Sequence, residues 1–444
     1  MHRVVKVLIA AVVVLAGGAM PAAAQAPPGR AERPNVVLII TDDVGYGDFG
    51  AYGATDIRTP NVDRLAREGV KLTDFYAAPV CTPTRAMLMT GRYQQRVGLE
   101  EALSSAGPRD RGLLPTGHSL PRLLQNNGYA TGLVGKWHLG WKPEFGPNEH
   151  GFDYFFGFKS GAVDFYTHEA ASGEEDLFEN TTPVRVDGYM TDLITARAVR
   201  FIEQHAKEPF FLDVSYNAAH WPFQPPDRHS RANRVAFEGP MHDPMPTRKD
   251  YAAMLERADA GVGQILEALA RLGLERDTLV IFTNDNGGEW LSRNAPLTHR
   301  KGTLWEGGIR VPAILRWPAR LPAGRTSDAP SIFMDLTATI LAATGTRAPA
   351  EARHEGIDLV PVLTGRAAAA ERPLFWRTRT QKAVRRGDWK LLVEGDDIFL
   401  FNLRADISER NDLARDRIDL IRALRPLIAG WEADVDAERK ALTP

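Results

Sequence analysis

Residues able to act as nucleophile, acid, base or cation ligand fall into six short groups. They are Asp42-Asp43, Cys81 with Arg85, Lys136 with His138, His220, Asp285-Asn286 and Lys301. Adjacent carboxylates repel unless a cation neutralises them. Asp42, Asp43, Asp285 and Asn286 together form an all-oxygen set of the kind that Ca2+ or Mg2+ takes. No Cys or His stands beside these acids, which argues against a soft metal. Cys81 is the chain's single cysteine, in the stretch PVCTPTRAML. Thr82-Pro83 suits the first turn of a helix, where free N–H groups favour an anion. Arg85, about one turn on, falls on the same side. A cysteine beside a cation at a helix start is expected to have a lowered pKa and to be reactive.

Each group also has a plainer reading. A free cysteine is often simply buried. Asp-Asp serves as a turn or helix cap, and Asn284-Asp285-Asn286-Gly287-Gly288 as a turn. Lys136 could be a solvated lysine, His138 and His220 packed histidines, and Lys301 part of a basic surface loop. Position reverses most of these readings. Apolar runs precede the groups: Val36 to Ile40 before Asp42, Gly132 to Gly135 before Lys136, Phe210 to Val214 before His220, and Leu279 to Phe282 before Asp285. In an open α/β sheet, ligands bind outside the carboxyl ends of the strands. Four runs far apart in sequence thus deliver acids, amides, a lysine and histidines to one edge.

The elements that must position these groups follow from periodicity. Continuous apolar runs, rather than alternating ones, indicate strands buried on both faces of a mostly parallel sheet. Helical patterns lie between them at Asn61–Gly69, Ser119–Asn127, Asp187–His205 and Asp250–Leu272, and a short one runs from Thr84 to Met89. Strands alternating with helices predict an α/β fold, a large mostly parallel mixed sheet sandwiched by helices. The last hundred residues or so differ. Four short strands, Leu374–Arg377, Lys382–Arg385, Trp389–Val393 and Ile398–Phe401, sit close together with turns between, and a helix from Ile418 to Ala437 closes the chain. The predicted organisation is a leader at 1–26, a catalytic α/β domain at 33–345, and a C-terminal antiparallel subdomain at 346–444. The leader has His2, Arg3 and Lys6, an apolar run and small residues up to Ala26, the order of a secretory signal peptide. It predicts a periplasmic or secreted protein without stable membrane insertion. The composition is that of a globular protein, and a net charge of −2 gives no case for nucleic acid.

Cys81-Thr82-Pro83-Thr84-Arg85 followed by Thr90-Gly91-Arg92 resembles the motif of the type I, formylglycine-dependent sulfatases, arylsulfatase-like members of the alkaline phosphatase superfamily. A second family motif is recognisable in Gly128-Tyr129 through Gly135-Lys136-Trp137-His138-Leu139-Gly140. The resemblance runs from Pro34 to about Thr346 and implies hydrolysis of an aryl or carbohydrate sulfate ester. It implies that a maturation enzyme oxidises Cys81 to formylglycine, whose hydrate offers one hydroxyl to attack sulfur and another to expel sulfate. It implies Asp42, Asp43, Asp285, Asn286 and modified Cys81 as ligands of Ca2+, with Mg2+ the alternative. Arg85 would steady the diol, Lys136 neutralise sulfate, and His138 take the second hydroxyl's proton. His220 and Lys301 would hold sulfate and protonate the leaving oxygen. Ser160 resembles a sulfate-side hydroxyl of some members. The rival readings are a phosphoester or phosphonate ester hydrolase on the same scaffold, and a non-catalytic Ca2+-dependent glycan-binding protein.

Overall fold

The computed structural model describes residues 33–105, 107–228 and 245–442. The expected leader at 1–26 lies outside the described residues. The strands are β1 (Asn35–Thr41), β2 (Val70–Leu72), β3 (Phe75–Tyr76), β4 (Ala130–Lys136), β5 (Tyr154–Phe158), β6 (Phe178–Glu179), β7 (Thr182–Pro183), β8 (Phe210–Ser215), β9 (Thr278–Asn284), β10 (Ala313–Arg316), β11 (Arg325–Ser327), β12 (Ser331–Ile332), β13 (Pro373–Arg377), β14 (Gln381–Arg386), β15 (Trp389–Glu394) and β16 (Asp397–Asn402). The helices are α1 (Pro60–Glu68), α2 (Cys81–Thr90), α3 (Leu120–Asn126), α4 (Met190–Gln204), α5 (Arg248–Arg271), α6 (Glu306–Ile309), α7 (Phe333–Ala343), α8 (Val360–Leu363) and α9 (Ile418–Leu442).

Ten strands form one sheet in the order β11-β2-β10-β9-β1-β8-β4-β5-β6-β7. The centre, from β9 to β5, is parallel, and β10 and β6 run antiparallel on either side. Alternate residues of β1 point to opposite faces. Val36, Leu38 and Ile40 join one core with residues of α2, α3 and α7, while Val37 and Ile39 join the other with α1, α4 and α5. A strand covered on both faces has no polar side to show, which is why the run is continuous. Register then decides where the chemistry falls. Ile40 pairs with Ser215, Thr41 with Asn284, and Gly135 with Ser215. The carboxyl ends of β9, β1, β8 and β4 therefore stop level with one another.

Strands β13 to β16 form a separate four-stranded antiparallel sheet. Leu374, Trp376, Ala383 and Leu392 face the main core. Val384, Leu391 and Leu400 face Leu424 and Ile428 of α9. A buried ion cluster joins this sheet to the main body. Lys390 Nζ lies 2.8 Å from Glu306 Oε1 and 2.8 Å from Glu409 Oε1, and Arg385 lies 2.6 Å from Asp74. The same junction holds the loop that carries Lys301. Leu304 N–H donates to Gln381 Oε1 at 2.7 Å, Glu306 N–H to Glu409 Oε2 at 2.6 Å, and Trp305 packs on Phe399 and Phe401. Lys390→Met leaves buried Glu409 without its cation and Glu306 with Arg310 alone. Removing one partner from such a cluster costs about 3–5 kcal/mol. Urea unfolding should show a loss of that size, and a loss near zero would mean the cluster does not hold the sheet in place.

Candidate active site

Backbone conformation brings the strand-end residues inward. Asp42 N–H donates to Ala218 O at 3.0 Å, and Asp43 then takes a left-handed φ of 58°. His138 is also left-handed, with φ 56°. Such conformations cost a non-glycine residue roughly 1–3 kcal/mol and gather at functional sites. Gly135 precedes Lys136 with φ 111°, and a Cβ there would sit 1.9 Å from Ser215 O. Only glycine lets β4 pass β8 this closely on the way to Lys136. After β9, a Cβ on Gly287 would lie 1.8 Å from Gly307 O, so the turn that follows Asn286 must be glycine as well. Asn284 fastens the two acidic segments together. Its Oδ1 accepts from Thr41 Oγ1 at 2.9 Å and Val44 N–H at 3.2 Å, and its Nδ2 donates to Val44 O at 3.0 Å.

Helix α2 begins at Cys81 itself, with Val80 extended as its cap, and Pro83 is its third residue. Cys81 Sγ lies 3.6 Å from Asp42 Oδ1. Arg85 does sit one turn on, but its guanidinium is directed elsewhere. It donates to Asp285 Oδ2 at 3.0 Å, to Lys136 O at 2.9 Å and to Ser215 Oγ at 3.1 Å. Ser215 in turn donates to Asp213 Oδ1 at 2.8 Å. The expectation of a lowered thiol pKa is therefore corrected. Burial first, and then the Asp285 carboxylate, push the Cys81 thiol well up, against the opposing pull of Lys136 and Lys301.

Two lysines neutralise the acids. Lys136 Nζ is 2.6 Å from Asp42 Oδ2, both side chains fully buried. Burial and Asp285 nevertheless push the Asp42 carboxyl up to about 8, outweighing Lys136. Lys301 Nζ is 2.7 Å from Asp43 Oδ2 and 3.6 Å from Glu289 Oε2. Burial alone would raise Asp43, but Lys301 and then His220 hold it below the usual carboxylate range. Lys301 is thus a nearly buried member of the site and not a surface lysine. His220 Nδ1 bonds Trp221 O at 2.5 Å, and its Nε2 lies 3.3 Å from Asp43 Oδ2 and 3.5 Å from Lys301 Nζ. His138 Nε2 bonds Leu103 O at 2.8 Å, while its buried Nδ1 has no hydrogen-bond partner. Strand β4 ends at Lys136, and the backbone turns at His138. Burial first, then the Lys136 charge, hold the His138 ring well below its ordinary pKa. Ser160 is buried, and its hydroxyl donates to Ala162 O at 2.8 Å.

The donor chemistry fits a hard cation. Asn286 Nδ2 donates to Asp43 Oδ1 at 2.8 Å, which turns its own Oδ1 away from that bond. That Oδ1 and Asp285 Oδ1 are buried oxygens without a hydrogen-bond partner, and such atoms are rare unless something satisfies them. Ligand atoms of Asp42, Asp43, Cys81 and His220 all lie within 4.8 Å of one another, so the fold corrects the expectation that no Cys or His stands beside the acids, and the two unsatisfied oxygens are what favour a hard cation. Of the eleven residues named from sequence, ten meet around Cys81, and Ser160 lines a crevice with His138, but sequence reasoning missed Asn284, Asp213, Ser215 and Glu289, which orient them. Asn284 could have been found from its place between a buried strand and Asp285.

The family model described as Sulfatase matches residues 34–346. N-acetylgalactosamine-6-sulfatase of Canis lupus familiaris is 35% identical over 398 residues, covering 84% of this chain and 74% of that protein. Arylsulfatase J of Mus musculus is 31% identical over 445 residues, covering 86% and 73%. Among solved structures, Ps i-CgsB in complex with k-i-k-neocarrahexaose superposes with a TM-score of 0.82 at 33% identity, covering 90% of this chain and 92% of that one.

Proposed function

The chain belongs to the sulfatase family and is a sulfatase enzyme, and from that premise we propose that it cleaves carbohydrate or aryl sulfates with a formylglycine made from Cys81 and a divalent cation. The observation that carries this reading is the convergence of Asp42, Asp43, Lys136, His138, His220, Asp285, Asn286 and Lys301 on Cys81 at one edge of the sheet. The oligosaccharide seen in Ps i-CgsB favours a carbohydrate sulfate. Asp42, Asp43, Asp285 and Asn286 would hold Ca2+ or Mg2+, which would supply charge to offset sulfate and acidify a bound hydroxyl. A hydrated formylglycine would supply one hydroxyl as nucleophile and a second whose ionisation expels sulfate.

The chain's other residues divide the remaining tasks. Arg85, fixed through three acceptors, keeps its charge beside residue 81. Lys136 stays charged in a buried place, raised by Asp42 against the pull of burial, and neutralises sulfate. The Leu103 carbonyl can only accept, so His138 Nε2 carries the hydrogen and Nδ1 the lone pair. Nδ1 is then free to take a proton. By the same logic Trp221 O takes the Nδ1–H of His220, and His220 Nε2 faces Lys301. From these positions His220 and Lys301 would together hold the sulfate and protonate the departing oxygen. We further propose export to the periplasm or beyond, and modification by a separate maturation enzyme. No helix among the described residues is long and apolar enough to cross a membrane.

The reading is tested by sulfate release from sulfated sugars and nitrophenyl sulfate, with nitrophenyl phosphate alongside. Faster turnover of the phosphate would favour the phosphoester hydrolase. The two histidines should also separate. General acid catalysis is worth about 10²–10⁴-fold where the leaving group needs a proton. His220→Ala should lose about 10²-fold or more on a sugar sulfate, and much less on nitrophenyl sulfate. His138→Ala should instead accumulate sulfated enzyme, visible by intact mass. Equal losses of His220→Ala on both substrates would remove it from the acid role.

A further inference from the structure

A cleft of about 1170 Å3 opens beside the site, with Val80 and Gly302, the neighbours of Cys81 and Lys301, in its wall. That is more room than a drug-sized ligand needs, since such pockets run to roughly 1,000 Å3. One wall is made by Val97 to Ala102 and Arg111 to Thr116, and another includes Thr378 to Thr380 after β13. The first wall is fixed against the segment that follows His138. Leu113 N–H donates to Leu139 O at 2.7 Å, Gly112 bridges Gly140, and Leu103 O accepts from His138 Nε2 at 2.8 Å. Arg111, in this wall, lines both the cleft and a narrower crevice that holds His138 and Lys159.

The charges of the cleft are mostly answered within it. Glu100 pairs with Arg377 at 3.0 Å and with Arg439 at 2.8 Å, and Asp436 pairs with Arg377 at 2.9 Å. Glu101 lies 4.0 Å from Arg379. Arg111 differs. It is exposed, its one hydrogen bond runs to Gly98 O at 3.1 Å, and among the described residues no carboxylate stands within ion-pair distance. An arginine fork matches the paired oxygens of a carboxylate or a sulfate. A chain with net charge −2 is not basic in general, so an unanswered cation here is a local feature of the mouth.

We propose that Arg111 is a specificity-determining residue that binds a second anionic group, a carboxylate or a further sulfate, on the sugar adjoining the one that loses sulfate. This rests on the carbohydrate sulfate reading and names its substrates as anionic oligosaccharides. The test compares kcat/KM of wild type, Arg111→Ala and Arg111→Glu on four substrates. They are nitrophenyl sulfate, a monosulfated disaccharide with a neutral neighbour, one with a uronate neighbour, and a disulfated disaccharide without uronate. A lost charged hydrogen bond corresponds to roughly tenfold or more. Arg111→Ala should lose that much, mainly in KM, on an anion-bearing disaccharide relative to the neutral one, and Arg111→Glu should lose more. The gap should narrow as salt rises. Loss confined to the uronate or to the disulfated arm identifies the anion, and either supports the proposal. Equal loss on all four substrates, or none on any, overturns it. Sulfate release from nitrophenyl sulfate without preference for either anionic disaccharide overturns it while leaving the sulfatase reading intact. No sulfate release from any substrate overturns both.

Discussion

Asp285→Ala should lower kcat on nitrophenyl sulfate by about a thousandfold or more. The carboxylate has two oxygens with different duties. Oδ2 accepts from Arg85 at 3.0 Å, and Oδ1 is buried without a hydrogen-bond partner. A bound cation is worth several kcal/mol of transition-state charge, which at 1.36 kcal/mol per factor of ten is about 10³-fold. The substitution also strands a guanidinium whose side chain is 4% exposed. Leaving a buried charge unpaired costs about 3–5 kcal/mol of stability, so a drop in melting temperature is part of the expectation. Asp285→Asn separates the two effects, because it keeps an acceptor for Arg85 and removes the negative charge. Three measurements decide the matter: kcat with added Ca2+, bound metal per chain, and the rise in melting temperature with Ca2+. The last follows from preferential binding to the folded state. Wild type should show the rise, and both variants should bind less metal. Full activity with unchanged metal content in Asp285→Asn would remove Asp285 from the ligand set.

Much of this was legible from sequence, for identifiable physical reasons. A central strand has no solvent face, so the residues from Val36 to Ile40 read as one apolar block, and polar residues could only begin where β1 ended. The same held for β9, β8 and β4, and their level ends then gathered the site. Three-residue strands such as β2 and β11 were not foreseen, because so short a segment carries no periodicity. Lys301 was hard to judge from its neighbours, since His299-Arg300-Lys301 looks like a solvated turn. What holds it inward is the C-terminal sheet, through Gln381, Glu409 and the aromatic pair Phe399 and Phe401. That contact spans about a hundred residues of chain and leaves no local trace. The thiol pKa was misjudged for a related reason. Spacing places Arg85 beside Cys81, but only the fold shows that Asp285, Lys136 O and Ser215 take up its donors.

Protein in which residue 81 remains a thiol should fold normally and release no sulfate. Sγ is one atom at a helix start, and Cys81→Ala there should cost on the order of 1 kcal/mol. Activity should fall by about 10⁴-fold or more, the scale seen when a covalent nucleophile is removed. Burial and Asp285 keep the group protonated, so it is a poor nucleophile, and it lacks the second hydroxyl that expels sulfate. Burial of the segment would constrain when such a modification could take place. Every residue from Cys81 to Thr90 is buried, with Cys81 at 1% and Arg85 at 3% exposed. An enzyme that reads Cys81 to Arg85 as an extended segment must therefore meet it before α2 packs. Folded thiol protein mixed with the maturation enzyme should stay inactive, whereas the same enzyme acting during synthesis should yield active protein. Peptide mass spectrometry across Pro79 to Arg85, compared with kcat in the same preparations, should show activity proportional to the aldehyde fraction. A preparation with unmodified Cys81 turning over at full rate would exclude the formylglycine mechanism, and efficient conversion of the folded thiol protein would exclude the order of events.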